Sequence, residues 1–272
     1  MSITRRSLLA ASLLLAFALP TFASPKPINV TLGFIAKSDK DAEKDFAGLF
    51  RHLRASPDIE FTIRIFPTYE EVYQAFKEKK IDLALVGAVK YAQAHFETGA
   101  IPIVAEGGLT RAYIIVPNQS PIKTTKELKG KHFGFGYPDS TSTHLMPLLL
   151  LSKNLIKEKD LGKVDFLGAD QEKLVERLLA GEVDAVSVVE SVYRRHTDKV
   201  RSLERSDPFP GSPLIARKDA SPKVIEAVRK TFLSYKGTPG DKRFSEGSIS
   251  IDDSKFNMIR FLCKVLYGKM YV

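Results

Sequence analysis

The segment Tyr137-Pro138-Asp139-Ser140-Thr141-Ser142-Thr143-His144 sets four hydroxyl side chains in a row beside a histidine. It follows the strand pattern His132-Phe133-Gly134-Phe135-Gly136 and opens a stretch of helical periodicity from Ser140 to Leu151. Gly134 and Gly136 let the chain pass without side-chain obstruction, and Pro138 restrains the approach to the turn. The first turn of a helix carries backbone N–H groups with no partner inside the helix, and its dipole favours negative charge there. Hydroxyls add hydrogen-bond donors without adding net charge. This combination suits capture of a tetrahedral oxyanion with several acceptor oxygens. Simple N-capping is the competing reading, but a cap needs one side chain and four stand here.

His144 beside Ser140 and Ser142 also raises a nucleophile–base pair, the reading of an exported hydrolase. The chain has no Gly-x-Ser-x-Gly elbow and no third member, so no catalytic residue is expected. The single cysteine, Cys263, excludes an internal disulfide and any multi-cysteine metal site. It lies in the apolar run Met258 to Cys263, where a thiol serves as a small buried hydrophobe. Neither metal nor cofactor is expected.

Further candidates stand at the ends of strand patterns, where open parallel sheets hold their ligands. Tyr69 follows Phe66-Pro67-Thr68, and Tyr91 follows the buried run Ile81 to Gly87. Both phenols are placed to face a cleft and donate an O–H; aromatic packing is the alternative. Asp170 follows Phe166-Leu167-Gly168-Ala169, and Glu190 follows the apolar run Val183 to Val189. Asp207 sits in Arg205-Ser206-Asp207-Pro208. Acidic groups beside an anion pocket can pair with a cationic group on the same ligand. Each can equally be a cap or a solvated charge. Asp184, at the start of a buried strand, reads as structural.

The elements that must position these residues form two α/β units. Alternating strands over Ile28 to Phe34 and Glu60 to Phe66 flank a helix from Asp41 to Arg54. A helix from Tyr69 to Lys80, a buried strand from Ile81 to Gly87 and a strand from Ile101 to Glu106 complete the first unit. A strand from Arg111 to Pro117 leads into the second unit. There strands over 131–135, 164–167 and 183–189 alternate with helices over 140–151 and 171–180. The tail offers strands over 200–204 and 213–216 and helices over Pro222 to Tyr235 and Phe256 to Leu266, without a third full α/β unit. It is expected to return and finish the first lobe. The predicted division is lobe 1 over 24–115 and 206–272, and lobe 2 over 116–205. Two crossings, near Ala112–Asn118 and Arg201–Pro208, then make a hinge around an interlobe cleft.

The first 23 residues read as an address. Arg5-Arg6 precede an apolar run from Leu8 to Leu19, Pro20 breaks it, and Thr21-Phe22-Ala23 offers a cleavage site before Ser24. The run is shorter than the ~20 residues a membrane span needs. Ordinary secretion and the twin-arginine route both fit. The expected location is therefore periplasmic. The formal charge of +9 falls to +7 without Arg5 and Arg6. Its basic residues are scattered, so an anionic ligand is compatible with the charge and nucleic acid is not expected.

Several motifs resemble, in order, the phosphate/phosphite/phosphonate-binding proteins of ABC transporters, the PhnD-like periplasmic family. They are Leu32-Gly33-Phe34, Tyr69 before a helix, Lys80-Ile81-Asp82-Leu83-Ala84-Leu85-Val86-Gly87 followed by Tyr91, and Leu128-Lys129-Gly130-Lys131. Pro138-Asp139-Ser140-Thr141-Ser142, Leu179-Ala180-Gly181-Glu182-Val183-Asp184-Ala185 and Ser212-Pro213-Leu214-Ile215-Ala216-Arg217-Lys218-Asp219 continue the series. The resemblance implies a type II periplasmic binding protein fold, two α/β lobes with a two-segment hinge. It implies that Tyr69, Tyr91, Ser140, Thr141 and Ser142 hold phosphonate-like oxygens, and that Glu190 and Asp207 are candidates to receive an amine. Asp170 stands where many members carry a histidine. The implied partners are a small anionic ligand and an ABC transporter permease, with a membrane sensor kinase as the alternative; the chain is expected to act as a monomer.

Overall fold

The computed structural model describes residues 27–168, 170–238 and 241–271. The expected leader over residues 1–23 lies outside the described residues. The first half runs β1 (Ile28–Ile35), α1 (Asp39–Asp45), α2 (Ala47–Arg54), β2 (Ile59–Phe66), α3 (Tyr69–Lys77), β3 (Leu83–Leu85), α4 (Ala88–Thr98), β4 (Ile101–Glu106) and β5 (Leu109–Thr110). Then come β6 (Ala112–Pro117), β7 (His132–Phe135), α5 (Met146–Lys153), β8 (Lys163–Phe166), α6 (Gln171–Leu179), β9 (Ala185–Val189), α7 (Glu190–Arg195) and β10 (Val200–Arg205). The tail adds β11 (Phe209–Pro210), β12 (Pro213–Ala216), α8 (Pro222–Ser234), β13 (Ser248–Ser250) and α9 (Asn257–Tyr267).

Two sheets organise these elements. One has the order β13-β4-β12-β3-β1-β2, the other β10-β6-β9-β7-β8. In the first, β1 pairs in parallel with β2 and β3; in the second, β7 pairs in parallel with β8 and β9. The register of each is pinned in the same way. Asp82 N–H donates to the Thr31 carbonyl (2.9 Å) and its carboxylate accepts from Thr31 N–H (2.8 Å). Asp184 makes the same pair of bonds with His132, at 2.9 and 2.8 Å. An aspartate that exchanges both bonds with the neighbouring strand starts β3 and β9 alike, which is the structural role read for Asp184.

The tail re-enters the first sheet. β12 slots antiparallel between β3 and β4, and β13 adds to the outer edge of β4. Phe209–Pro210 and Leu109–Thr110 pair as a short ribbon where the chain passes between the sheets. α9 packs its Ile259, Leu262 and Cys263 into the core of the first sheet, which also takes up Leu145 and Met146 from the second unit. Leu266 and Tyr267, at the end of α9, pack against the core of the second sheet. Gly268, at φ 66°, ends this helix in the left-handed conformation that favours glycine. Among the described residues no helix is long and apolar enough to cross a membrane.

Two expected helices differ in detail. The helix over Asp41 to Arg54 breaks at Phe46 (φ −126°, ψ 21°). The break lets the Asp241 carboxylate accept from Gly48 N–H (3.0 Å) and Leu49 N–H (3.3 Å), capping α2 from the tail. It also seats Phe46 among Phe34, Phe50 and Phe244. The helix over Ser140 to Leu151 begins as a π turn, Thr141–Leu145, before α5 proper. Leu145 N–H reaches back five residues to the Ser140 carbonyl (2.9 Å).

Candidate functional site

The C-terminal ends of the parallel strands in both sheets face one another. Lys37 follows β1, Tyr69 follows β2, and Gly87-Ala88 follows β3; across the gap, Ser140–Ser142 follow β7, Asp170 follows β8 and Glu190 follows β9. Two adjoining cavities of about 520 and 620 Å³ lie between them. Tyr69, Ser140, Ser142, Gln171, Lys242 and Arg243 line both, so these side chains form the shared wall.

The hydroxyl turn is built so that its donors stay available. Gly136 passes so close to Thr143 that a Cβ there would sit 2.2 Å from the threonine hydroxyl. Asp139 adopts φ 63°, a left-handed conformation that costs a non-glycine residue energy. Its carboxylate is held by Lys269 at 2.8 Å and lies 3.8 Å from the buried Lys90 ammonium. Ser140 is the N-cap: its oxygen accepts from Thr143 N–H (3.2 Å) and from the Thr143 hydroxyl (2.7 Å). Thr141 accepts from Val89 N–H at 3.1 Å, a bond that ties the turn to the first helical residues of α4. The Ser142 hydroxyl has no partner among the described residues; only its carbonyl is bonded, to Ser187. Each hydroxyl carries one O–H. Those of Ser140, Thr141 and Ser142 are therefore free to point into the cleft, beside the Thr141 and Ser142 amides at the helix start.

Tyr69 lies opposite, with its ring edge-on to Tyr137 at 6.4 Å between centroids. Burial raises the pKa of its phenol, against the pull of the Arg243 guanidinium, so it stays a donor at neutral pH. Arg243 comes from the tail loop. Its Nε donates to both Glu106 carboxylate oxygens (2.9 and 3.1 Å), and its Nη2 donates to Glu106 (2.8 Å) and Ser212 (3.0 Å). Its Nη1 has no partner among the described residues. Burial lowers the guanidinium's pKa, but the charge of Glu106 and its hydrogen bonds outweigh this and leave it raised and fully protonated. Sequence reasoning missed Arg243. Its only local signal is a basic pair, Lys242-Arg243, after the Gly- and Pro-containing stretch 237–240.

The expected carboxylates divide. Asp170 lines the second cavity and pairs with Lys37 at 3.0 Å across the gap. Burial raises its pKa, yet the Lys37 hydrogen bond and charge more than offset that, leaving it lowered. Glu190 lines the first cavity and is gripped by Arg194 (Nε 3.0 Å) and Arg111 (Nη1 3.2 Å), which hold its carboxyl below the usual range. Asp207 is exposed and lines neither cavity. Its neighbour Ser206 takes the inward position, accepting from Ala112 N–H (3.0 Å) and donating to the Asp207 carbonyl (2.8 Å). Tyr91 is not brought to the cleft either. It is fully buried on the face of α4 that packs on the tail, its ring 4.6 Å from Phe256 and its hydroxyl donating to Asp253. At β3 the gap is met by Gly87 and Ala88 instead.

His144 faces away from the serine hydroxyls. Its Nδ1 meets the Tyr267 hydroxyl at 2.9 Å and its Nε2 meets Glu158 at 3.2 Å, with Phe135 and Phe166 packed against the ring. Burial lowers its pKa, against the pull of Glu158. The imidazole thus pins the turn to α9.

Comparison with known proteins points one way. The family model for the phosphonate ABC transporter periplasmic substrate-binding protein matches residues 32–255. The phosphonates-binding periplasmic protein of Escherichia coli K12 is 24% identical over 255 residues, covering 85% of this chain and 74% of that protein. The fold matches PhnD1 from Prochlorococcus marinus MIT 9301, solved in complex with methylphosphonate, with a TM-score of 0.76. That match is 19% identical and covers 90% of this chain and 100% of that one. A binding protein component of an ABC phosphonate transporter from Pseudomonas aeruginosa matches with a TM-score of 0.73, 18% identity and coverage of 89% and 87%. These structural likenesses establish the type II periplasmic binding protein fold.

Proposed function

The chain belongs to the family of periplasmic substrate-binding proteins of phosphonate ABC transporters, and on that premise we propose that its cleft captures a small phosphonate-class oxyanion and hands it to a membrane permease. The observation that carries this reading is the set of uncommitted donors at Ser140, Thr141 and Ser142, facing Tyr69 across the gap. A tetrahedral anion presents three oxygens to such a set, with the helix-start amides and dipole adding to the attraction. Hydrogen bonds to a charged group contribute ~1.5–3 kcal/mol each, enough for micromolar affinity after the costs of association and ordering.

The lobes that close on the ligand are 24–115 with 206–272, and 116–205, hinged near Ala112–Asn118 and Arg201–Pro208. Export follows cleavage before Ser24, by the secretory or twin-arginine route, and the protein works in the periplasm. The test is titration calorimetry of the mature protein with methylphosphonate, phosphite and phosphate, paired with small-angle scattering. At least one anion binds at micromolar concentration and shrinks the radius of gyration. If none binds below millimolar concentration, the assignment falls.

A further inference from the structure

We propose, resting on that reading of the cleft, that Arg243 sets the ligand's charge type: the site takes a phosphonyl or phosphoryl anion without an amine and disfavours aminoalkylphosphonates. An ammonium group on a ligand needs an acceptor that is not already held by a cation. Five of the seven carboxylates that line the cavities are held. Glu106 carries Arg243, Glu190 carries Arg111 and Arg194, and Asp170 carries Lys37. Glu172 carries Arg195, and Asp45 carries Lys242 at 3.2 Å. Asp207, the remaining candidate for an amine, lies outside both cavities. Glu246 and Asp41 do line the cavities, but both are exposed, where water screens their charge.

The donor side is the reverse. Glu106 and Ser212 occupy Nε and Nη2 of Arg243 and fix the guanidinium plane, which also packs on the Phe46 ring at 5.6 Å. Nη1, without a partner among the described residues, keeps its two hydrogens for the wall shared by the cavities, a fork edge suited to anionic oxygen. Arg243 is the half-buried cation of the wall shared by both cavities, while the carboxylates beside it are already held by cations. Glu106 acts here as a positioning residue for Arg243.

The experiment compares ethylphosphonate with 2-aminoethylphosphonate, which differ by the amine, in calorimetric titrations of the mature protein. The wild type binds ethylphosphonate at least about tenfold tighter. Arg243→Gln releases Glu106 to receive an ammonium, so the preference swings toward the amine by about tenfold or more. Arg243→Lys keeps the charge and retains the wild-type preference. The double variant Arg243→Gln, Glu106→Gln removes the released carboxylate and abolishes the swing; where the single variants melt too early to titrate, the wild-type preference between the two compounds is itself the test. Equal or tighter wild-type binding of the amine overturns the inference while leaving the phosphonate reading intact. So does a preference that Arg243→Gln leaves unchanged. If neither compound nor any other phosphonate binds the wild type, the reading of the cleft fails and this inference with it.

Discussion

Replacing Ser142 by alanine removes a hydroxyl with no hydrogen-bond partner among the described residues, whereas replacing Ser140 removes one that holds the turn together. The two substitutions therefore separate ligand binding from folding. Ser142 is half-buried and its hydroxyl has no partner among the described residues, so its loss should leave the free protein within ±0.5 kcal/mol of wild type. In the complex, the lost bond to an anionic oxygen is worth ~1.5–3 kcal/mol, a drop in affinity of roughly ten- to 150-fold. Ser140 accepts from the Thr143 amide at 3.2 Å and the Thr143 hydroxyl at 2.7 Å. Its loss adds a capping penalty of ~0.5–2 kcal/mol to the free protein, a few degrees in melting temperature for a chain of this size. Thermal melting of the ligand-free proteins and calorimetry with methylphosphonate measure the two effects. Unchanged affinity in Ser142→Ala, or equal destabilisation by the two substitutions, would refute the geometry assigned to the turn.

Three other outcomes are expected. Tyr91→Phe removes a partly buried hydrogen bond to Asp253 and should cost about 0.5–1.5 kcal/mol in denaturant titration while leaving ligand affinity unchanged. Glu97 has its carboxyl pulled from 4.5 to about 2, chiefly by the Lys77 ammonium and then by the Tyr73 hydroxyl. A depressed carboxylate stabilises the fold above its unfolded pKa and loses that contribution as pH falls, here between about 4.5 and about 2. The melting-temperature gap between wild type and Glu97→Gln should close across that window. Burial pushes the Cys263 thiol up to about 12, so a thiol reagent at pH 8 should label it only after unfolding.

Much of the fold was legible because strand and helix periods are local. The apolar alternation of β1 and β2, the buried runs of β3 and β9, and the hydroxyl turn after β7 each declare themselves within a dozen residues. The placement of β12 between β3 and β4, antiparallel to both, was not legible, since pairing depends on segments far apart in the chain. The break at Phe46 hid for the same reason: its cause, Asp241, lies 193 residues on from Gly48.

The site shows the same division. Ser140, Thr141, Ser142 and Tyr69 reach the cleft because a strand end and a helix start place their side chains by local geometry alone. Tyr91 stands at an equally plausible strand end, yet α4 turns it onto α9, and only the packing of Phe256 and Asp253 decides that. Sequence alone determined the two α/β units and the hydroxyl cluster, whose causes lie in neighbouring residues. Tertiary structure alone decided which charges meet: Arg243 joins Glu106 from 137 residues away, and Lys37 reaches Asp170 from 133. Coulomb pairing acts through space, so no spacing along the chain announces it.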